Sequence, residues 1–328
     1  MQVLITGGTG FIGSRLALAC REAGDAVTVL GQENTAAERD NARLLGARGI
    51  DLVMGTVTDA AAVRGAMSGA EIVYHLAAAQ DEANVPDSHF REVNVDGTRH
   101  VVEAAVASGV RRLVHGSTIG VYGMLEGGID EESPCRPENI YGVTKLEGES
   151  VVRGHADTLA AVIVRISETY GPGDRRLLKL FRAIKRGRFF RIGNGRNLHH
   201  LIYVDDLVSG MRQAGVSGAA VGQTFVLSGR EPISTDAMMD AIARALGVSP
   251  PRLRFPLWPF VAAAAVLETV LRPLGIQPPL HRRRMDFFRK SFVFDQTRCR
   301  TVLGFEPETD FEAGAGSTAR WYTEQGML

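Results

Sequence analysis

Apolar residues in the first half of the chain come in short strand-like runs that alternate with longer stretches of helical spacing. VLIT at 3–6 is followed by FIGSRLALACREAG, AVTVL, a polar stretch, DLVM, DAAAVRGAM and EIVYHLAA at 71–78. HFREVNVDGTRHVVEAAVASG, RRLVHGST, a Gly/Pro-rich loop, IYGVTKLEGESVVRGHA and LAAVIVRI carry the alternation to residue 166. Repeated strand, helix and strand is the sequence form of βαβ units. The pattern therefore predicts an α/β protein with a doubly wound parallel sheet of six or seven strands, covered by helices on both faces. There is no internal repeat and no low-complexity tract.

Composition narrows the class. A chain of 328 residues with 45% hydrophobic and 23% charged content can bury one substantial core and a smaller second lobe. Lysine plus arginine and aspartate plus glutamate number 37 each, so bulk charge gives no steering toward nucleic acid. Cys20, Cys135 and Cys299 are far apart and form no CxxC or Cys/His pattern, which argues against disulfides and zinc and fits a reducing, cytoplasmic setting. Strand-like residues from Gln2 leave no room for a signal sequence, and no apolar run of about 20 residues predicts a transmembrane segment.

The glycines after the first strand add chemistry. Gly8, Gly10 and Gly13 satisfy G-x-G-x-x-G, and Gly7, Gly10 and Gly13 a G-x-x-G-x-x-G spacing, between a strand and a helix opening with Phe11 and Ile12. Such a turn lets backbone N–H groups approach a pyrophosphate while the helix N-terminus favours its charge. Residues 1–166 thus read as a Rossmann-type dinucleotide-binding domain and 167–328 mainly as a smaller substrate-binding lobe, with the chain crossing between them. An acidic residue is expected at the end of the second strand to accept the ribose hydroxyls of NAD. Gly31 and Gln32 stand there, Glu33 is two residues late and Arg39 farther on, so the choice of NAD over NADP stays open.

Tyr141 and Lys145 are four apart in a helical pattern and share one face. An ammonium near a phenol favours the phenolate and prepares it to move a proton near neutral pH. With TGGTGFIG, VYHLAA, NVDGT, HGSTIGVYG, YGVTK and YGPGD in this order, the chain resembles the extended short-chain dehydrogenases/reductases. These include the NAD-dependent epimerases and dehydratases and the 3β-hydroxysteroid dehydrogenase branch. The resemblance implies Tyr141 as general acid/base, Lys145 as its partner and nicotinamide-ribose ligand, and Thr118 as the hydroxyl on the reacting oxygen, with Ser117 a stand-in. It also implies that Leu76, Ala77 and Ala78 flank the cofactor, with Gln32, Thr56 and Val57 at other strand ends, and that Asn94 organises the site. Dimers are common in the family, so a homodimer is the assembly it implies.

Departures limit the substrate. Sugar 4,6-dehydratases carry an Asp-Glu pair after the threonine, whereas this chain has Ile119 and Gly120, which disfavours dehydration. UDP-sugar epimerases place an asparagine and an arginine near the diphosphate where this chain has Glu168 and His199. Arg176 and Arg283, within GDRRLLKLF and HRRRMDFFRK, are candidate compensating cations, or else solvated helix faces. His199 and His200 have no third ligand at metal-binding spacing. LWPFVAAAAVLETVLRPLG at 257–275 is a mostly apolar helical stretch with residues 260, 264, 267 and 271 on one face. It suits a core face, a pocket for an apolar substrate or a membrane surface. The expected function is Tyr-Lys-Thr proton and hydride transfer at a secondary hydroxyl or ketone, foremost of a nucleotide sugar. An apolar alcohol of the hydroxysteroid type is second, and a non-catalytic NAD(P) sensor third.

Overall fold

The computed structural model describes residues 1–80, 85–125, 127–271, 285 and 287–328. Seven strands form one sheet: β1 Gln2–Thr6, β2 Ala26–Gly31, β3 Asp51–Met54, β4 Ile72–His75, β5 Arg112–Thr118, β6 Ala161–Ile166 and β7 Thr224–Leu227. Their order is β7-β6-β5-β4-β1-β2-β3, and every neighbouring pair is parallel. The seventh strand comes from beyond residue 166, so the sheet draws on both halves of the chain.

Successive side chains of a strand point to opposite faces, and the burial follows that period. Val3 and Ile5 of β1 join Leu16 of the helix Phe11–Glu22 and Leu207 and Met211 of Val204–Val216 in one core. Leu4, between them, joins Val63 of Ala60–Ala66, Val101 and Ala105 of Gly97–Ala107 and Val152 of Ile140–Arg153 in the other. A third cluster belongs to the later residues. Phe181, Met238, Met239, Ile242, Ala315 and Tyr322 pack the helices Leu178–Lys185, Thr235–Ala245 and Phe311–Glu324 together, with the Phe181 and Tyr322 rings edge to face at 5.2 Å.

β1 lies between β2 and β4, so the chain leaves it in opposite directions and the strand ends diverge there into a crevice. The apolar stretch forms the helix Trp258–Leu271. Of its expected inner face, Ala264 is fully buried and Phe260 and Leu267 are half-buried, while the side chain of Leu271 lies outside the described ones. Among the described residues no helix is long and apolar enough to cross a membrane.

Candidate active site

The crevice holds a cleft of about 1310 Å³ along the carboxyl ends of the strands. Its floor begins at the glycine turn. Gly7 has φ +70°, and a Cβ there would stand 2.6 Å from the backbone nitrogen of Ala77; a Cβ on Gly13 would stand 2.4 Å from the Gly7 carbonyl. Only hydrogen fits at either place. Gly10 caps the helix Phe11–Glu22 without a side-chain bond, so among the described residues the cap leaves the donors of the first turn open to a ligand. The Asn41 amide donates to the Thr9 carbonyl at 2.8 Å, and Thr9 Oγ1 accepts from Gln32 N at 3.1 Å, which ties the turn to the end of β2. Phe11, Ile12, Gln32, Thr56, Val57, Leu76, Ala77 and Ala78 line the same cleft. A cradle a Cβ would fill, beneath an uncapped helix terminus, fits a dinucleotide's pyrophosphate.

Farther along, β5 ends at Thr118, whose Oγ1 accepts from Gly120 N at 3.1 Å. The helix Ile140–Arg153 starts beside it, capped by Asn139 Oδ1 accepting from Gly142 N at 2.9 Å. A Cβ on Gly142 would lie 2.6 Å from the Gly120 carbonyl, so glycine lets the helix rest directly on the loop after Thr118. Thr118, Tyr141 and Lys145 consequently face one cleft. Asn94, in the widened turn Glu92–Asp96, links this helix to the exit of β4. Its Oδ1 accepts from Ala79 N at 2.8 Å, while its amide donates to the Ala79 carbonyl at 3.1 Å and to Thr144 Oγ1 at 3.0 Å.

Lys145 is 2% exposed. Burial lowers its pKa to about 8, against the pull of the Glu149 carboxylate, which favours the ammonium. Glu149 is fully buried and heavily bonded: Ser117 Oγ donates to it at 2.6 Å, Arg165 through two nitrogens at 3.0 and 2.8 Å, and Arg153 at 2.9 Å. Burial pushes its carboxyl up, but the Arg165 bonds and charge, with Ser117 and Arg153, outweigh that and hold it below the usual range. Ser117 therefore lines the cleft with its hydroxyl proton committed to Glu149. Glu149 itself has a signal in the sequence, four residues after Lys145 and eight after Tyr141 on one helix face.

Glu168, Arg176 and His199 also line the cleft. His199 Nδ1 is 3.5 Å from Glu168 Oε2. Burial would raise the Glu168 carboxyl, and the bond and charge of His199, followed by Arg176, hold it low instead. Arg176 is half-exposed and donates to Asp174 Oδ1 at 3.3 Å and to the Thr169 carbonyl. Arg283 lies outside the described residues. Phe287, whose ring is 4.4 Å from that of His199, and Phe292 add an apolar wall, and Glu38 lines the end near β2. Phe287 and Phe292 carry no local pattern and reach the cleft by tertiary packing, whereas Glu38 is held by the capping box it forms with Thr35. Among the described residues no group of His, Cys, Asp and Glu is arranged to hold a metal.

The sequence profile of the NAD dependent epimerase/dehydratase family matches residues 3–227. A dTDP-glucose 4,6-dehydratase of Streptomyces griseus is 30% identical over 341 residues, 98% of this chain and 94% of that one. A 3beta-hydroxysteroid-dehydrogenase/decarboxylase (isoform 2) of Arabidopsis thaliana is 29% identical over 290 residues, 82% of this chain but only 51% of the plant protein. The solved UDP-glucuronic acid 4-epimerase of Bacillus cereus, in complex with NAD, shares the fold at a TM-score of 0.79, with 22% identity over 99% of both chains.

Proposed function

We propose that this chain, which belongs to the NAD-dependent epimerase/dehydratase family, transfers a proton and a hydride at a secondary hydroxyl or ketone of a nucleotide sugar, as an epimerase or ketoreductase. The observation that carries the reading is the meeting of Thr118, Tyr141 and Lys145 with the glycine cradle in one cleft. NAD, when bound, supplies hydride acceptance and return. Gly7, Gly10 and Gly13 would hold its pyrophosphate, and Lys145 its nicotinamide ribose. Tyr141 takes the hydroxyl proton as general base and gives it back as general acid. The Lys145 ammonium lowers the cost of the phenolate, and the Thr118 hydroxyl donates to the reacting oxygen. Epimerase and ketoreductase share these roles: an epimerase forms the ketone, turns it within the cleft and returns the hydride to its other face, whereas a ketoreductase takes in the ketone, reduces it at the expense of reduced cofactor and releases the alcohol.

Ile119 and Gly120 place no carboxylate directly after Thr118, which argues against 4,6-dehydration despite the dehydratase relative. Phe287 and Phe292 favour a second reading, an apolar alcohol, because an apolar wall binds one without leaving polar groups unpaired. Thermal-shift titration of the NAD-loaded protein separates the two: stabilisation by UDP or dTDP supports the first, and indifference to both with a response to sterols refutes it. Tyr141→Phe tests the chemistry. Turnover should fall by about 10²–10⁴-fold with NAD affinity nearly unchanged, and wild-type rates would remove Tyr141 from the mechanism.

A further inference from the structure

The helix Trp258–Leu271 presents an apolar face that is exposed at its described side chains. Trp258, Ala262, Val266 and Val270 recur every four residues, so their side chains form one row. All four are exposed, Trp258 at 73%, Val266 at 62% and Val270 at 55%. Leu253 at 68% and Phe255 at 43% extend the patch on the segment leading into the helix. Glu268 is the one charged residue in the helix sequence. Large apolar side chains gathered at such exposure mark a contact surface rather than scattered surface residues.

Exposed cations lie at the Leu253–Phe255 end of this patch. The Phe190 ring packs on Phe255 of the patch at 5.1 Å, and on Phe260 of the helix's inner face at 5.7 Å, which sets the turn after the helix Leu178–Lys185 beside the Phe255 end of the patch. Lys185, Arg186 and Arg188 of that segment are exposed, as is Arg252 next to Leu253. Two acids at that end are engaged: Asp236 bonds Arg191 and Arg254, and Asp240 bonds Arg191. The resulting surface combines a tryptophan at one helix end, an aliphatic row and a cationic border.

We infer that this face docks on the surface of an anionic phospholipid bilayer, with the row from Trp258 to Val270 seated among the acyl chains and the cations from Lys185 to Arg188 against lipid phosphates. Apolar burial and electrostatic attraction act together in such interfacial binding, and neither requires a spanning helix. Phe288, whose carbonyl borders the Gly193 turn together with Leu257, packs its ring 5.0 Å from that of Phe287 in the cleft wall.

The test uses the full chain with vesicles of phosphatidylcholine alone and of phosphatidylcholine mixed with phosphatidylglycerol. Trp258 and Trp321 are the only tryptophans, so Trp321→Phe leaves Trp258 as the single reporter. Co-sedimentation with the phosphatidylglycerol vesicles, weakened by salt, and a blue shift of Trp258 emission are expected. Val266→Glu with Val270→Glu, and separately Lys185→Glu with Arg186→Glu, should each weaken binding by about tenfold or more. Absence of vesicle binding, equal binding to both vesicle types, or indifference to either pair of substitutions overturns the inference. So does self-association in solution that Val266→Glu abolishes, because a second copy would then cover the face.

Discussion

Replacing Glu149 with glutamine should lower the pKa of Lys145 by about two units. Residues four apart on a helix bring their side chains to about 6 Å. At an effective dielectric of about 20, opposite charges at that distance attract by roughly 3 kcal/mol, or about two pH units of ammonium stabilisation. Lys145 titrates near 8 with the carboxylate present, so without it the ammonium should deprotonate near pH 6. Arg165 and Arg153 would keep their charge and add to the downward push. At neutral pH the site would change from a mostly charged to a mostly neutral lysine and lose the ammonium that the proposed mechanism sets beside Tyr141. NMR titration of protein carrying lysine labelled at Cε reads this directly, because the sequence has only Lys145, Lys179, Lys185 and Lys290. Ser117→Ala keeps the carboxylate and should leave the titration in place. Arg153→Ala removes an exposed competitor for the carboxylate and should move it upward. Glu149→Gln also leaves Arg165 buried without its counterion, at a cost of about 3–5 kcal/mol, so the titration must be read on protein shown to be folded. A Lys145 signal that stays near 8 in folded Glu149→Gln would refute the electrostatic account.

Gly142→Ala should give a stable but slow enzyme: alanine favours the helix, yet its Cβ meets the Gly120 carbonyl at 2.6 Å and parts Tyr141 from Thr118. A misplacement approaching 1 Å corresponds to about 10²-fold in turnover, and unchanged rates would show that the loop yields freely. Acid should destabilise the fold through histidines buried in neutral form. Burial, with the Lys145 charge, lowers His75 to about 3, and burial lowers His200 to about 4. The unfolded chain binds these protons first, so stability is full above about pH 6.5 and declines as pH falls toward 4, by on the order of 3 kcal/mol for each histidine. Urea unfolding at pH 7 and pH 4.5 measures it, and His75→Asn should reduce the pH dependence; an identical slope in that variant would clear His75.

The order of strands and helices was legible in the chain because it depends on local periodicity. Runs such as VLIT and LVHGST, separated by helical stretches, admit little besides a parallel sheet, and glycines between the first strand and helix mark its open end. Tyr141 and Lys145 were legible for the same reason, since a spacing of four needs only a helix to place both side chains on one face. Glu149 was within reach of that argument one turn on. Tertiary structure alone decided which groups face these residues. Arg165 reaches Glu149 because β6 passes beside β5, and Phe287 reaches His199 from nearly ninety positions away. Ser117 and Thr118 are neighbours in the chain, yet Ser117 bonds inward to Glu149 while Thr118 bonds its own following loop. Local sequence patterns constrain torsions and faces over a few residues; long-range contacts depend on which faces find each other as the whole core packs, and no window of a few residues contains that information.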